Sequence, residues 1–489
     1  MTIAPDRQAE VFASVEPATG AVVAEFPVHT EEDVKATVAR ARSATAWWQE
    51  LGFGDRKERL DSWRIVVVNK LDELTELIHR ENGKPLGDAQ IEWTLVVDHM
   101  AWSAKHAKRV LGTRRVSAGL LQPNQAAHLE YQPLGVIGVI GPWNYPLFTP
   151  MGSIAYALAA GNCVVFKPSE FTPAVGKWIV DSFAEVVPEH PVLQLVTGFG
   201  PTGAALCRSG VDKVAFTGSA RTGKVVMAAC AETLTPVLME CGGKDSMIVA
   251  DDADLDAAAQ AALWGGMANA GQTCVGIERV YVTERSYEPL VERLKAQVGE
   301  VKAGTSYGHI TMPSQVEVIR RHIQDAIARG GKAISGGHID GTLVEPTILI
   351  DVPEDALAVQ EETFGPTLTV TKVKDTDEAI RLTNATSYNL AGAVFSRRHG
   401  MEIARRLRSG MTSVNSVQAF AGVAALPFGG SGESGFGRIH GEDGLREFTR
   451  AKAITRQRFA PPVKMLTFSR TQKTDKMIAR MVRMLHGRR

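Results

Sequence analysis

Residues 135–218 constrain the fold most, because short apolar segments alternate there with segments of helical spacing. The apolar segments are rich in β-branched residues and lie at 135–141, 163–168, 192–196 and 213–218. The helical segments between them lie at 151–160, 174–187 and 202–209. This alternation predicts a parallel, doubly wound α/β sheet with buried strands. Ligands bind such sheets at the carboxyl ends of the strands, so we expect the functional site there.

The alternation continues after Glu240 and predicts a second α/β domain. Predicted strands lie at 246–249, at 279–282 and within 359–373. Predicted helices lie at 255–267, 287–298, 315–329, 376–384 and 400–408. Residues 1–30 predict a small leading hairpin, and helical segments follow at 34–48, 55–81 and 85–109. A chain of 489 residues is long enough for two or three domains.

Charge and cysteine content exclude several classes of protein. The 54 basic residues balance 54 acidic ones, whereas a general nucleic-acid-binding protein needs a basic surplus. The five cysteines are odd in number and lack metal-type spacing, so neither a disulfide framework nor a zinc site is expected. No run approaches the roughly 18 apolar residues of a membrane span, and no signal-peptide pattern follows Met1. These features predict a cytoplasmic protein that binds neither nucleic acid nor metal.

Cys274 is the candidate nucleophile. It lies in residues 269–276, a run of small and polar residues after an apolar segment, which can present a thiol at the end of a rigid element. A helix end or neighbouring dipoles are expected to favour its thiolate. Glu240 precedes it by 34 residues, beside two glycines, and a nucleophile with a separate base is typical of covalent catalysis. Cys241 is either a packed side chain or an oxidation-sensitive neighbour of Glu240.

Three glycine-rich segments are candidates for a phosphate-binding loop. Residues 198–203 and 430–435 fit the pattern G-x-G-x-x-G literally, whereas residues 217–223 do not. The first segment joins a strand to a helix but lacks the acidic residue expected about 20 positions later. Residues 217–223 also join a strand to a helix, whose free N–H groups attract pyrophosphate. Each segment is equally compatible with a tight turn that needs glycine.

Seven motifs, in order along the chain, resemble those of aldehyde dehydrogenases. They are residues 142–146, 166–170, 216–219, 239–244, 271–274, 361–366 and 427–430. The resemblance implies an aldehyde dehydrogenase-like α/β fold with a Rossmann-type NAD(P)-binding domain and an α/β catalytic domain. The first comprises residues 1–115 and 135–240, and the second residues 241–445. Residues 116–134 and 446–489 would form a small β oligomerisation element with a basic tail, which implies a homodimer or homotetramer.

The resemblance also implies roles for single residues. Cys274 attacks the aldehyde, Asn144 stabilises the oxyanion with the Cys274 N–H, and Glu240 activates the water that hydrolyses the thioester. Residues 217–223 become the cofactor loop, so residues 198–203 and 430–435 become structural turns. The residues that bind NAD, or alternatively NADP, are Trp143, Lys167, Glu170, Gly218, Ser219, Gly223, Glu362 and Phe364.

Cofactor preference and substrate depend on a few further positions. Glu170 would repel a 2′-phosphate and favours NAD, whereas Arg221 is able to pair with that phosphate. Family members that oxidise succinic semialdehyde carry arginines where this chain has Ala268 and Gly152. An apolar tunnel is expected instead, lined by Tyr145, Phe148, Thr149 and Phe420. We therefore predict apolar aliphatic or aromatic aldehydes as substrates.

Two alternative activities remain open from the sequence. Residues 430–435 resemble the branch that oxidises fatty and aromatic aldehydes, whereas residues 411–415 resemble bacterial succinate-semialdehyde dehydrogenases. Some family members instead make acyl-coenzyme A, and these lack the glutamate found here at Glu240. Glu240 therefore favours a free carboxylic acid as the product.

The C-terminal tail differs from the rest of the chain. Residues 461–489 contain eight lysines and arginines and one acidic residue. One helical face carries the apolar residues Met477, Ile478, Met481, Val482 and Leu485. Such a helix either makes peripheral contact with an anionic membrane or packs on the catalytic domain or a partner subunit.

Overall fold

The computed structural model describes residues 10–461 and 463–487. The chain forms two compact units. The larger comprises Met1–Val110 and Pro133–Thr449, and the smaller comprises Leu111–Gln132 and Arg450–Arg489. The predicted division into three domains, at the boundaries given above, stays a prediction.

In the described ranges, the strands in chain order are β1 (Val11–Val15), β2 (Val22–Pro27), β3 (Arg114–Val116), β4 (Gln125–Pro133), β5 (Val136–Ile140), β6 (Cys163–Lys167), β7 (Leu193–Leu195), β8 (Lys213–Gly218), β9 (Val237–Cys241), β10 (Asp245–Val249), β11 (Ile277–Thr283), β12 (Lys332–Ser335), β13 (Ile339–Asp340), β14 (Leu343–Val344), β15 (Thr347–Ile350), β16 (Thr367–Val373), β17 (Gly392–Phe395), β18 (Ser413–Val414), β19 (Gly435–Phe436) and β20 (Thr449–Gln457).

The α-helices in chain order are α1 (Glu31–Ser43), α2 (Thr45–Glu50), α3 (Gly52–Asn69), α4 (Leu71–Asn82), α5 (Leu86–Leu111), α6 (Phe148–Ala160), α7 (Pro173–Ala184), α8 (Gly200–Arg208), α9 (Ala220–Ala231), α10 (Leu255–Met267), α11 (Glu284–Val298), α12 (Pro313–Ala328), α13 (Leu357–Gln360), α14 (Thr376–Thr383), α15 (Gly400–Ala404), α16 (Gly441–Glu447) and α17 (Gln472–His486).

The first sheet of the larger unit has the order β19-β9-β8-β5-β6-β7. Strands β5 to β9 are parallel, and only β19 runs antiparallel, beside β9. Every residue of β5 and β6 is buried, which explains why these strands are continuous apolar runs. Because β5, β6, β8 and β9 are parallel, the residues that follow them lie at one edge of the sheet.

The second sheet has the order β12-β15-β16-β11-β10-β17-β18 and is parallel except for β12. Alternate residues of β10 pack on opposite faces. Met247 and Val249 belong to a core that includes residues of α10 and α11. Ile248 belongs to a second core, with residues of α14 and α15. Helices thus cover both faces of the sheet, and the predicted α/β class is confirmed.

Several predicted elements differ in extent from the observed ones. The predicted helix at 34–48 is divided at Ala44, and the one at 55–81 is divided at Lys70, whose φ of −117° is not helical. The predicted helix at 400–408 ends at Ala404, because Asn384 accepts a hydrogen bond from the Arg408 N–H (2.9 Å) and donates to the Arg406 carbonyl (3.0 Å). The leading hairpin is confirmed as β1 and β2, although residues 1–9 lie outside the described residues.

The smaller unit contains a three-stranded sheet of order β20-β4-β3 and the helix α17. The Arg458 N–H donates to the Asn124 carbonyl at 2.8 Å and joins the two chain segments of this unit. Thr471 caps α17 by accepting a hydrogen bond from the Thr474 N–H. Across the described residues, no helix is both long and apolar enough to cross a membrane.

Candidate active site

Cys274 follows a strained turn between α10 and β11. Asn269 and Ala270 have φ angles of 53° and 56°, and Gly271 continues the left-handed path at 70°. Non-glycine residues rarely adopt this conformation, and strain of this kind persists only where the surroundings impose it. A Cβ atom on Gly271 would lie 2.0 Å from the Gly365 carbonyl oxygen. The turn therefore packs so closely on the loop that carries Glu362 and Phe364 that only a glycine fits at position 271.

Amide hydrogen bonds tie this turn to Asn144. The Asn144 Nδ2 donates to the Gln272 carbonyl at 2.9 Å, and the Asn269 Nδ2 donates to the Asn144 carbonyl at 3.0 Å. The Gln272 side chain accepts a hydrogen bond from the Thr311 N–H at 2.8 Å. The structure therefore brings Asn144 beside the segment that carries Cys274, 130 positions away in the sequence.

A cavity of about 290 Å³, here called the tunnel, contains both Cys274 and Glu240 in its wall. The apolar residues of the wall include Ile91, Leu95, Tyr145, Phe148, Trp264, Val275, Leu390, Val417, Phe428 and Ile439. Of the residues predicted to line a tunnel, Tyr145, Phe148 and Thr149 do so. Phe420 is not among the lining residues, and its ring packs 6.2 Å from that of Phe428.

The charged residues of the tunnel wall are all acidic. They are Asp88, Glu92 and Glu240. Glu92 is paired with the buried Lys84 at 2.8 Å and also accepts hydrogen bonds from the N–H groups of Leu147 and Phe148. Within the described residues, the wall contains no lysine, arginine or histidine. The carboxylate of a bound substrate would therefore have no basic side chain to pair with among the described residues of the tunnel wall.

Glu240 is buried on β9 at the tunnel wall. Neither of its carboxyl oxygens has a hydrogen-bond partner in the part of the chain that the structure describes. Burial raises the pKa of Glu240 well above its ordinary value, and the nearby Arg438 only partly opposes this. A Cβ atom on Gly429 would lie 2.6 Å from the Glu240 Oε1, so a glycine there leaves room for the carboxyl group.

The pKa of the Cys274 thiol is raised, contrary to the expectation that its surroundings favour the thiolate. Burial is the largest cause, and the carboxyl groups of Glu362, Asp245 and Glu240 add to it. The Val275 N–H opposes the shift but does not outweigh it. The thiol follows an irregular turn rather than starting a helix, and the groups facing it are carboxyls, so its surroundings oppose the thiolate.

Most of the residues predicted to bind a cofactor lie at the carboxyl edge of the first sheet, whereas Glu362 and Phe364 lie in the loop before β16 of the second sheet. Lys167 ends β6 and is buried, and its Nζ donates to the Pro168 carbonyl at 3.1 Å. Burial lowers the pKa of Lys167, whereas the nearby Glu170 raises it. Trp143, from the neighbouring loop after β5, lies with its ring perpendicular to that of Phe364 at 5.5 Å.

The N-terminus of α9 is accessible to a ligand, whereas other residues of the chain pack against the N-terminus of α8. Ser219 caps α9 and is exposed, with Gly218 before it. A Cβ atom on Gly223 would lie 3.1 Å from the Cys241 Sγ, so this helix packs closely on β9. At α8, the Thr202 hydroxyl donates to the His29 carbonyl at 3.0 Å, and a Cβ atom on Gly198 would lie 2.3 Å from that hydroxyl.

Residues 430–435 lie along β9 rather than at the start of a helix. Gly435 pairs with Glu240 in the short strand β19. A Cβ atom on Gly435 would lie 2.0 Å from the Met239 carbonyl oxygen. These glycines therefore permit close packing of two backbones beside Glu240.

Glu278 is a residue that the sequence analysis missed. Its carboxylate accepts hydrogen bonds from the Thr363 N–H at 2.8 Å and the Phe364 N–H at 3.0 Å, and it forms a buried ion pair with Lys244. It thus holds Phe364 in a left-handed conformation, with φ of 53°. The signal was an acidic residue beside Arg279 at the start of the strand β11, where a buried charge requires a partner.

The same loop positions Glu362. Its carboxyl group accepts a hydrogen bond from the Gly243 N–H at 3.0 Å. Burial, with the nearby Glu278 charge, raises the pKa of Glu362 to about 8. A Cβ atom on Gly242 would lie 2.1 Å from the Glu362 Oε1, so the carboxyl group occupies space that only a glycine leaves open.

Comparisons with known proteins agree on the family. Residues 3–454 match the model of the aldehyde dehydrogenase family. The chain is 38% identical over 446 residues to the 4,4'-diapolycopene aldehyde oxidase of Methylomonas sp, covering 90% of this chain and 84% of that protein. It is 36% identical over 462 residues to a putative succinate-semialdehyde dehydrogenase [NADP(+)] 2 of Mycobacterium ulcerans, covering 90% and 87%. The NAD-dependent aldehyde dehydrogenase of Sinorhizobium meliloti superposes with a TM-score of 0.89 at 32% identity, covering 94% and 93%.

Proposed function

The chain belongs to the aldehyde dehydrogenase family, and from this premise we propose that it oxidises apolar aliphatic or aromatic aldehydes to carboxylic acids. Family membership makes it an NAD(P)-dependent oxidoreductase. The named substrates of its relatives differ, so the substrate is inferred from the tunnel. The observation that carries the proposal is the tunnel wall, which combines Cys274 and Glu240 with apolar side chains and contains no basic residue among those described.

In the proposed reaction, the Cys274 thiol gives its proton to water as its sulfur bonds to the aldehyde carbon. The electron pair of the broken carbonyl π-bond moves to oxygen and gives the oxyanion of a thiohemiacetal. Asn144 and the Cys274 N–H donate hydrogen bonds to the resulting oxyanion, and loss of one such donor typically costs roughly 10²–10³-fold in rate. Bound NAD(P)⁺ would supply the acceptor for the hydride of the thiohemiacetal carbon, and loss of that hydride leaves a thioester on Cys274. Glu240 then takes a proton from water, whose oxygen attacks the thioester, and the carbon–sulfur bond breaks to release the acid and the thiol.

The residues at the sheet edge fit a dinucleotide. The buried Lys167 ammonium has donors beyond its bond to the Pro168 carbonyl, and with Glu170 it would hold ribose hydroxyls. The open N-terminus of α9, with Gly218, Ser219 and Gly223, would receive the pyrophosphate. Glu362 would hold the second ribose, with Trp143 and Phe364 forming an aromatic wall.

NAD is the proposed preferred cofactor, and Arg221 gives a test of this preference. We expect Arg221→Ala to leave kcat/KM for NAD within about twofold of the wild type and to lower kcat/KM for NADP about tenfold. The reason is that the exposed guanidinium in the first turn of α9 would pair with a 2′-phosphate, a group that NAD lacks. Arg285→Ala, also exposed, is the matched control. A wild-type enzyme that strongly prefers NADP would overturn the assignment.

Glu278 is expected to affect cofactor affinity rather than aldehyde affinity. In Glu278→Gln the Lys244 ammonium loses its buried counter-charge, and the two N–H groups of the Glu362 loop lose an ionised acceptor. We expect KM for NAD to rise about tenfold, with KM for hexanal little changed. Initial rates with each substrate varied in turn separate the two constants. Glu288→Gln, at an exposed ion pair, is the control, and an equal rise in both KM values would contradict the positioning role.

The absence of a cation in the described tunnel wall predicts the substrate range. We expect kcat/KM for hexanal and benzaldehyde to exceed that for succinic semialdehyde, because a carboxylate in the tunnel would face Asp88 and Glu240. Ala268 lies in the wall, so Ala268→Arg should raise kcat/KM for succinic semialdehyde about tenfold and lower it for hexanal. Ala257→Arg places the same charge on the exposed side of α10 and should change neither.

The two alternative activities give different outcomes in the same assays. If the wild-type enzyme prefers succinic semialdehyde, the proposal of apolar aldehyde substrates is wrong and the enzyme is a succinate-semialdehyde dehydrogenase. NADH formation from an aldehyde without coenzyme A and phosphate supports hydrolysis to the free acid. A requirement for coenzyme A would instead make the enzyme acyl-coenzyme A-forming, and the presence of Glu240 argues against that outcome.

A homodimer or homotetramer is the proposed assembly, and a reducing cytoplasm the proposed location. The sheet β20-β4-β3 of the smaller unit has largely exposed strands, which are available for pairing with another copy. The catalytic role of Cys274 requires a reduced thiol, which a reducing compartment maintains. Light scattering of the purified protein measures the mass of the assembly.

A further inference from the structure

The charge of the chain is divided unevenly between the two units. Residues 450–489 contain twelve lysines and arginines and one aspartate, and residues 111–132 contain two arginines and one glutamate. The smaller unit therefore carries fourteen basic and two acidic residues, a formal charge of +12. Because the whole chain is neutral, the larger unit carries −12. The zero net charge is thus the sum of a strongly basic unit and a strongly acidic one. The basic region is larger than the tail at 461–489 that was predicted from the sequence.

The basic residues of this unit are arranged in rows. Lys473, Lys476, Arg480 and Arg483 follow one another at intervals of three and four, so they share one face of α17. Arg450, Lys452, Arg456 and Arg458 occupy alternate positions along and just beyond β20 and are all exposed. The single aspartate of the tail is already paired with Arg470 at 2.5 Å, so it neutralises none of these eight residues.

Large apolar side chains are exposed in the same unit. Leu466 is 94% exposed and Phe468 is fully exposed, just before α17. Ile478, Met481 and Leu485 are half-buried, whereas Met477 and Met484, on the border between that apolar face and the basic face, are exposed. Exposed apolar groups next to a basic face are typical of helices that lie in the surface of an anionic membrane.

We propose that this tail surface, formed by Leu466, Phe468 and the exposed face of α17, binds the surface of an anionic lipid bilayer. The basic row attracts the lipid phosphates, and the leucine, phenylalanine and methionine side chains enter the boundary between headgroups and acyl chains. A second copy of the chain fits this surface less well, because in a symmetric contact formed through α17 the basic row of one helix would face the basic row of the other. Nucleic acid would satisfy the charges but would leave Leu466 without an apolar environment.

Vesicle co-sedimentation of the full-length protein tests the proposal without aldehyde or cofactor, so its result is independent of the proposed activity. We expect binding to vesicles containing about one third phosphatidylglycerol, little binding to pure phosphatidylcholine, and release by salt. Changing Lys473, Lys476, Arg480 and Arg483 together to glutamate should lower binding by about tenfold or more. Leu466→Ser with Phe468→Ser, at exposed positions, should also weaken binding severalfold, while kcat/KM for hexanal stays unchanged in both variants.

The matched control changes four exposed basic residues of the larger unit to glutamate, namely Arg285, Lys302, Arg405 and Arg408. It has the same net charge as the first variant and should bind vesicles like the wild type. Equal loss of binding in both would show a net-charge effect and overturn the proposal. Failure of the wild-type protein to bind anionic vesicles would also overturn the proposal. In that case, a change in the mass measured by light scattering in the α17 variant would assign the surface to a second copy of the chain. Loss of binding to an RNA duplex in that variant would assign it to nucleic acid.

Discussion

Replacing Cys274 by alanine is expected to abolish aldehyde oxidation, with kcat falling at least about a thousandfold. The sulfur forms the bond to the aldehyde in the proposed reaction, and among the described residues of the tunnel wall the only other cysteine is Cys241. NADH formation from hexanal, followed spectroscopically, measures the loss. Because the Cys274 side chain is half-buried and small, its truncation should leave the melting temperature and the affinity for NAD close to those of the wild type.

Cys241 provides the matched control for that result. It also lies in the tunnel wall, but its sulfur faces Gly223 of α9, 3.1 Å from where a Cβ atom there would lie. Cys241→Ala should therefore retain most of the activity. It also decides between the two interpretations of this residue, because unchanged inactivation by hydrogen peroxide would leave Cys241 a packing residue. If turnover survives in Cys274→Ala but is lost in Cys241→Ala, the nucleophile is Cys241 and the assignment to Cys274 is wrong.

Strands β5 to β8, β10, β11 and β16 were predicted from their apolar composition, which follows from their burial. The other strands of the two sheets, β9, β12, β15, β17, β18 and β19, were not predicted. Strand β5 is an unbroken apolar run, and all five of its residues are buried. The divisions of the helices at Ala44 and Lys70 were not predictable in the same way, since neither residue interrupts a helix by its own chemistry. At Lys70 the next helix, α4, turns so that Leu74 and Ile78 reach the core. Tertiary packing, which the local sequence does not contain, decides that boundary.

The motifs located candidate residues but not the interactions among them. Nothing in residues 269–276 predicts that Asn269 and Ala270 adopt left-handed angles, because alanine has no intrinsic preference for them. Hydrogen bonds from Asn144 and Thr311, both distant in sequence, hold the adjoining Gln272 in place. The pKa of Cys274 is a similar case, since the carboxyl groups that raise it come from Glu362, Asp245 and Glu240. Such effects require the fold and cannot be obtained from spacing.

Replacing Glu240 by glutamine is expected to separate the two halves of the reaction. Acylation of Cys274 does not require the carboxylate, so one NADH per active site should still form rapidly. Hydrolysis of the thioester requires a base, so steady-state turnover should fall roughly 10²–10⁴-fold. Stopped-flow absorbance measures the burst and the slow phase, and mass spectrometry of the quenched protein should show the acyl group on the peptide containing Cys274.

The pH dependence of the hydrolytic step gives a second signature of Glu240. Burial holds its pKa well above the ordinary value, and only the ionised form takes a proton from water, so wild-type hydrolysis should speed up as pH rises through that raised pKa. Glu240→Gln has no such group, and the rise should disappear apart from attack by hydroxide itself. Hydroxylamine cleaves thioesters without a base, so adding it to the acylated variant after the aldehyde has been removed should release the acyl group as a hydroxamic acid and allow a second burst. Loss of the burst together with turnover would instead place Glu240 in the acylation step, with deprotonation of Cys274 as its task.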